Sequence, residues 1–330
     1  MARPLLLISV VLGWLPAPLM AGVPDYDLQW ATIGDPGNRA ATQAEAPGFY
    51  NSSGVPYFSE PGRVDYTFRM ATTEVTNAQY LDFLNAYAPH WQGSLADIKF
   101  TGAYIFYNSG SGQFQIGTNM ENRAAAFTWR MAARYTNWLH NGKGNEASDF
   151  ESGVYETSTF GRDPDTNQLT DQAERNPGST FWIPNISEWT KGMYWDPDKN
   201  AGAGGYWLYH NGSDSPAIYD LPGNGGTSNA GTQFHLDVAS YSAKSPWGLL
   251  DGSGGESELL ENYNVPGNAR VIAGSLWSSG PTSSRDQLGA LSRTFPDLGL
   301  IGFRVAGVVP HQGSLMVLGC GSLVMARRRR

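Results

Sequence analysis

The chain of 330 residues holds a single cysteine, Cys320, close to its C-terminus. A lone thiol makes no intrachain disulfide, so the fold must be held by its own core even where the compartment would permit cross-links. The body of the chain therefore has no thiol for nucleophilic or metal chemistry. Basic residues are scarce: 22 Lys and Arg stand against 30 Asp and Glu, a net charge of −8, and four of the 22 are the terminal run Arg327–Arg330. Such a body is not drawn to nucleic acid or to an anionic membrane surface. The five histidines are His90, His140, His210, His235 and His311, and no two are three or four positions apart. The paired helical histidines of many metal sites are therefore missing, although a triad drawn from distant positions needs no such spacing. No G-x-S-x-G elbow occurs, which leaves the serines without that nucleophile signature.

Glycine (40), proline (20) and aromatic residues (12%) are abundant. That mixture predicts a loop-rich fold whose irregular backbone is pinned by large rings. Hydrophobic residues reach 41%, enough for a sizeable core. No repeat divides residues 23–308, so one domain is expected there.

The two ends read differently from the body. Residues 1–21 combine the basic Arg3, the apolar run Leu5–Leu15 and a small residue, Ala21, at a cleavage position. This is the pattern of a secretory signal peptide, and it predicts an exported protein beginning near Gly22. Residues 309–330 hold an apolar, Gly-rich run followed by Arg327–Arg330. The run is shorter than the ~20 residues of a permanent span, and the arginines would stay on the cytoplasmic side. This end resembles a bacterial PEP-CTERM sorting tail, with Val309-Pro310-His311 where that signal has Pro-Glu-Pro. The expected location is the cell envelope or the exterior, with membrane contact only through this tail.

Three helices can be read from local chemistry. Thr76 and Gln79 make a capping box, and Tyr80, Phe83, Leu84 and Tyr87 follow on one face until Pro89. A second helix runs over Thr128–Leu139 with Met131, Tyr135, Trp138 and Leu139 as its stripe, and leaves at Asn141-Gly142. A third starts at Asn185 with Glu188 three positions on, turns Ile186, Trp189 and Met193 one way, and ends at Asp196-Pro197. These stripes are expected in the core.

Six segments then occur together in a familiar order: EVTNAQYLDFLNA (74–86), AARYTNWLHNG (132–142), FWIPNISEWTKGMYWDP (181–197), SPWGLLDGSGGESEL (245–259), RVIAGSLW (270–277) and GFRVA (302–306). With these, the chain resembles the sulfatase-modifying-factor domain of formylglycine-generating enzymes. The resemblance implies an α+β, single C-type-lectin-like domain over residues 22–308, loop-rich and with little regular secondary structure. It also implies scaffold roles: Glu74, Asn77 and Tyr80 fixing the first helix, Trp138 and Trp189 filling the core, and Arg304 pairing with a buried carboxylate.

Enzymes of that family hold copper with two cysteines, placed after a GGSW-like motif and separated by four residues. Aligned without gaps, Ser279 and Ser284 fall at those positions, and a neutral hydroxyl is a poor Cu(I) ligand. No copper and no catalytic residue are therefore expected. Relatives also bind a structural calcium near SPWGLLDGSGGESEL, where Glu258 matches the family glutamate but Gly255 replaces an asparagine. A separate calcium candidate is the stretch 163–174: Asp163, Asp165, Asn167, Asp171 and Glu174 fall at positions 1, 3, 5, 9 and 12 of an EF-type loop. Gln168 stands where that loop has glycine, and a polar surface loop explains the same residues. Asp196–Gly205 has a similar start without a closing glutamate and reads as a turn. Glu256, Glu258 and Glu261 offer carboxylates for hydrolysis, which needs a geometry that spacing alone does not supply.

The expectation is an exported member of this family that lacks the copper cysteine pair and serves as a non-catalytic binding or structural module of the cell envelope. A glycan or an envelope protein is its expected partner, with Trp207, Tyr209 and Trp247 as candidate contact rings. The alternative is a formylglycine-generating-type oxidoreductase with an altered metal site.

Overall fold

The computed structural model describes residues 22–265, 269–278 and 283–310. Residues 1–21, Ser279 and the tail from His311 with Cys320 lie outside the described residues. Asp25–Val309 forms one unit; the residues before and after it group separately, and of these only 22–24 and 310 are described.

Four strands make the main sheet: β1 (Trp30–Ile33), β2 (Phe68–Ala71), β5 (Phe181–Trp182) and β11 (Ala306–Gly307). Their order is β1-β2-β11-β5, every neighbour antiparallel, with Ala306 opposite both Met70 and Trp182. The last strand thus closes between two earlier ones, which ties the end of the domain to its beginning. Two hairpins lie outside this sheet, β3 (Ile105–Asn108) with β4 (Gln113–Ile116) and β6 (Trp195–Asp196) with β7 (Gly205–Tyr206). A second sheet of three antiparallel strands is built from β8 (Glu258–Val265), β9 (Ala269–Ala273) and β10 (Leu291–Thr294), in the order β10-β9-β8.

The helices form where the local signals lie. The first, α1 (Asn77–Tyr87), has the reciprocal Thr76–Gln79 cap. After the one-turn α2 (Ile98–Thr101) comes α3 (Trp129–His140), whose first turn is capped by Thr128 onto the Met131 amide. The short α4 (Ala147–Glu151) precedes α5 (Ile186–Tyr194), capped by Asn185 and Glu188 together; it ends two residues before the expected Asp196. Each cap satisfies amides that have no partner within the helix, typically worth about 1 kcal/mol.

The aromatic stripes meet in one core. Tyr80 stacks on Phe127 at 4.1 Å, Phe83 meets Tyr135 and Trp138 at 5.5 and 5.7 Å, and Phe303 closes on Phe127 at 5.4 Å. All are buried, as are Trp129 and Trp189. Each large apolar side chain taken out of water contributes roughly 1.5–3 kcal/mol, which accounts for a fold with 21% helix and 19% strand and long connections between them. Asn77 and Tyr80 tie α1 to its surroundings, Asn77 through the Met120 and Arg123 carbonyls and Tyr80 through that of Phe100. Glu74 does not belong with them: it is fully buried and faces the start of β8 instead.

Candidate functional site

The segment between β9 and β10 is closed at its base by one buried carboxylate. Ser275 Oγ donates to Asp286 Oδ1 (2.5 Å), Tyr219 OH donates to Oδ2 (2.8 Å), and Tyr194 OH reaches the Asp286 carbonyl (3.1 Å). Gly274 turns the chain here at φ +73°, a conformation that glycine adopts without strain. Beside this brace lies a cleft of about 350 Å³, lined by Ser257, Gly274, Leu276, Ser284, Arg285, Ser292 and Ile301 among others. Ser284 is exposed at it. Hydroxyls, aliphatic groups and a guanidinium make no soft ligand set, so the described lining does not fit the copper that the resemblance implies.

Behind the cleft sits a buried set of charges. Arg304 donates Nε to Glu258 Oε2 (2.6 Å) and Nη2 to Oε1 (2.5 Å), and spends its remaining hydrogens on the carbonyls of Ala71, Thr72 and Leu250. Trp189 Nε1 also donates to Glu258 Oε2 (2.9 Å). Arg304 thus has the buried carboxylate partner expected of it. Glu258, conversely, has both oxygens committed inside the protein, which does not fit a calcium ligand. Next to this pair, Glu74 Oε2 has no partner; burial above all, then the charges of Asp251 and Glu258, push this carboxyl well above its usual range. Burial likewise pushes Asp251 up to about 6. Gly255 has φ +59°, and a Cβ there would lie 2.4 Å from Glu74 Oε1, so an asparagine at this position would require Glu74 to move.

Glu256 points into an aromatic setting. Its Oε1 accepts from Tyr104 OH (2.5 Å) and Trp277 Nε1 (3.2 Å), yet burial pushes it up to about 7. His235 stacks on Trp277 at 5.2 Å, nearly parallel, with neither ring nitrogen bonded; burial lowers it to about 4 and keeps it neutral. His140 is held by Thr180, His90 meets the Asn145 carbonyl, and His210 is buried elsewhere. Among the described residues, no three His, Cys, Asp or Glu side chains are placed to hold a metal ion.

The side chains of the calcium candidate at 163–174 are not brought together. Asp163 Oδ1 accepts from the amides of Asp165 and Thr166 and from the Thr166 hydroxyl, capping its own turn. Residues Arg162 and Leu169 bridge across that turn, and Asn167 takes φ +56°. Asp171 is buried against Arg130 at 2.9 Å, while Asp165 and Glu174 are exposed. The acidic spacing thus serves a turn and an internal ion pair. The candidate contact rings are also mostly occupied. Tyr209 is buried and accepts from Gln287 (3.1 Å), Trp207 is covered by the Lys199 ammonium at 3.8 Å, and Trp247 is half-buried.

A second cleft, about 480 Å³, was not expected from the sequence. Its wall is built on Arg175, which bridges two carboxylates: Glu188 Oε1 at 2.8 Å and Glu261 Oε2 at 3.2 Å. The guanidinium lies 4.3 Å over the Trp182 ring, and Trp182 Nε1 in turn donates to Glu188 (3.1 Å). Glu188 also accepts Tyr66 OH (2.5 Å) and caps the Asn185 amide (2.8 Å). Glu261 accepts Tyr155 OH (2.9 Å) and the Arg175 amide (2.8 Å). Burial pushes Glu261 up to about 7 against the opposing pull of Arg175; burial works against the Arg175 charge, but Glu188 and Glu261 outweigh it and hold that guanidinium above its usual range. The capping box at Asn185–Glu188 was legible as a helix start; the second use of Glu188 was not, because Arg175 and Tyr66 come from remote loops.

Comparison with known proteins gives the following. A family profile described as the Sulfatase-modifying factor enzyme 1-like domain matches residues 48–308. No curated protein matches the chain. Among solved structures, CarF is similar at 20% identity, covering 86% of this chain and 99% of that one, with a TM-score of 0.48. Treponema denticola variable protein 1 is similar at 13% identity, covering 86% and 95%, with a TM-score of 0.51. PvdO from Pseudomonas aeruginosa is similar at 15% identity, covering 87% and 96%, with a TM-score of 0.45.

Proposed function

The chain belongs to the sulfatase-modifying factor family, and from that premise we propose that it is an exported, envelope-associated member acting as a non-catalytic binding or structural module. One observation carries this reading. The only cysteine, Cys320, lies beyond the matched residues 48–308, so the family domain has no thiolate to bind Cu(I) or to attack a substrate. The cleft beside the β9–β10 segment, braced by Ser275 on Asp286, offers hydroxyls at its surface. Such a cleft binds without redox chemistry. Residues 1–21 direct export, and residues 309–330 hold the protein at the membrane. The partner is a glycan or an envelope protein; a net charge of −8 argues against nucleic acid.

Copper and iron analysis of the purified full chain, with oxygen uptake measured on a cysteine-containing peptide, tests the proposal. The expected result is far less than one metal per chain and no uptake above the peptide alone. One copper or iron per chain with turnover overturns it in favour of an oxidoreductase with an altered metal site.

A further inference from the structure

We infer that the 480 Å³ cleft walled by Arg175, Glu261 and the start of α5 is a binding site for a neutral, hydroxyl-rich ligand of the saccharide class. Its size falls within the ~300–1,000 Å³ of small-molecule pockets. The wall is rigid before any ligand arrives. Arg175 is clamped between Glu188, Glu261 and the Trp182 ring, and Tyr66 is fixed through its hydroxyl on Glu188 and Arg175. Preorganised groups of this kind cost little further ordering on binding.

The unused hydrogen-bonding groups identify the ligand chemistry. Asn185 spends its Oδ1 on the Glu188 amide and Asn262 spends its Oδ1 on the Ile186 amide, so each keeps its Nδ2 hydrogens for the cleft. The exposed Glu174 carboxylate has no protein partner and is an acceptor. Donors and acceptors therefore both line the cleft, which suits vicinal hydroxyls that donate and accept at once. The Arg175 charge is already paired with Glu188 and Glu261, and the exposed Glu174 carboxylate repels an anion, which favours an uncharged ligand over an acidic one. The half-exposed Tyr66 ring adds an apolar face for the C–H side of a sugar.

This site lies apart from the cleft beside the β9–β10 segment and does not depend on the missing thiolates. A copper-loaded, active protein would overturn the proposed function and leave this inference standing. Calorimetric titration of the full chain with cellotetraose, chitotetraose and maltotetraose, beside tetragalacturonate and tetralysine, is the test. At least one neutral tetrasaccharide is expected to bind. Glu174→Ala and Asn262→Ala should each weaken it roughly threefold to tenfold, the effect of one hydrogen bond. Glu174 is exposed and unpaired, so its variant keeps the fold even if loss of the Asn262–Ile186 bond unsettles the other. Absence of binding by all three neutral sugars, binding unchanged by Glu174→Ala, or binding of a charged probe alone overturns the inference.

Discussion

Arg304 and Glu258 meet in two parallel hydrogen bonds, 2.6 and 2.5 Å, with both side chains wholly buried. One comes from the segment before the last strand and the other from the start of β8, so the pair locks the second sheet to the closing strand. A buried pair of this kind is costly to break from one side, because the remaining charge has no solvent. Glu258→Gln should destabilise the protein by about 3–5 kcal/mol in urea denaturation. Glu258→Leu combined with Arg304→Met should recover a large part of that loss, since no charge is left stranded. A double variant as unstable as the single one would show that the carbonyl bonds of Arg304 matter more than the pair.

The buried carboxyls fix the direction of the pH dependence. Burial raises Glu256 and Glu261 from 4.5 to about 7, and Asp251 from 3.8 to about 6. Between about pH 4 and 7 the unfolded chain has released these protons while the folded chain still binds them. His235, lowered from 6.5 to about 4, acts in the opposite sense, but the three carboxyls outweigh it, so stability falls as pH rises through that window and levels off above it. The loss should be on the order of several kcal/mol in total between pH 4.5 and 8, read as a falling urea midpoint. Glu256→Gln keeps an acceptor for Tyr104 and Trp277 but cannot ionise, and should flatten part of the slope. A midpoint that rises toward pH 8 would contradict these assignments.

Short-range chemistry accounts for what could be read beforehand. The caps at Thr76–Gln79 and Asn185–Glu188 are contacts within four residues, so their residue types are enough to place helix starts. The core stripes follow for the same reason. Arg304 was expected to find a buried carboxylate, but which one depended on a contact across 46 positions. The stretch 163–174 shows the opposite case. Acidic residues at two-residue spacing fit a calcium loop and an Asp-capped turn equally well, and only the burial of Asp171 on Arg130 separates them. The Arg175 cleft was hidden because its wall combines Tyr66, Arg175, Glu188 and Glu261, drawn from four separate segments. Tertiary packing, not local preference, made that site.

The segment from Ser275 to Asp286 offers a direct test of where a copper-binding cysteine pair would fall in this chain. Ser275 and Asp286, at its two ends, are held together by a hydrogen bond of 2.5 Å. Ungapped alignment puts Ser279 and Ser284 at the two metal-ligand positions, and a cysteine there supplies a soft, ionisable sulfur where serine has a neutral hydroxyl. Ser279→Cys combined with Ser284→Cys should therefore bind about one Cu(I) per chain in competition with bicinchoninate. Each single variant should bind far more weakly, because one thiolate is not enough to hold the ion. Ser275→Ala in the double variant should weaken the gained site by loosening the brace, since a hydrogen bond to a carboxylate contributes roughly 1.5–3 kcal/mol. If the double variant binds no more copper than the natural protein, the alignment is wrong and the family's metal positions lie elsewhere in the loop.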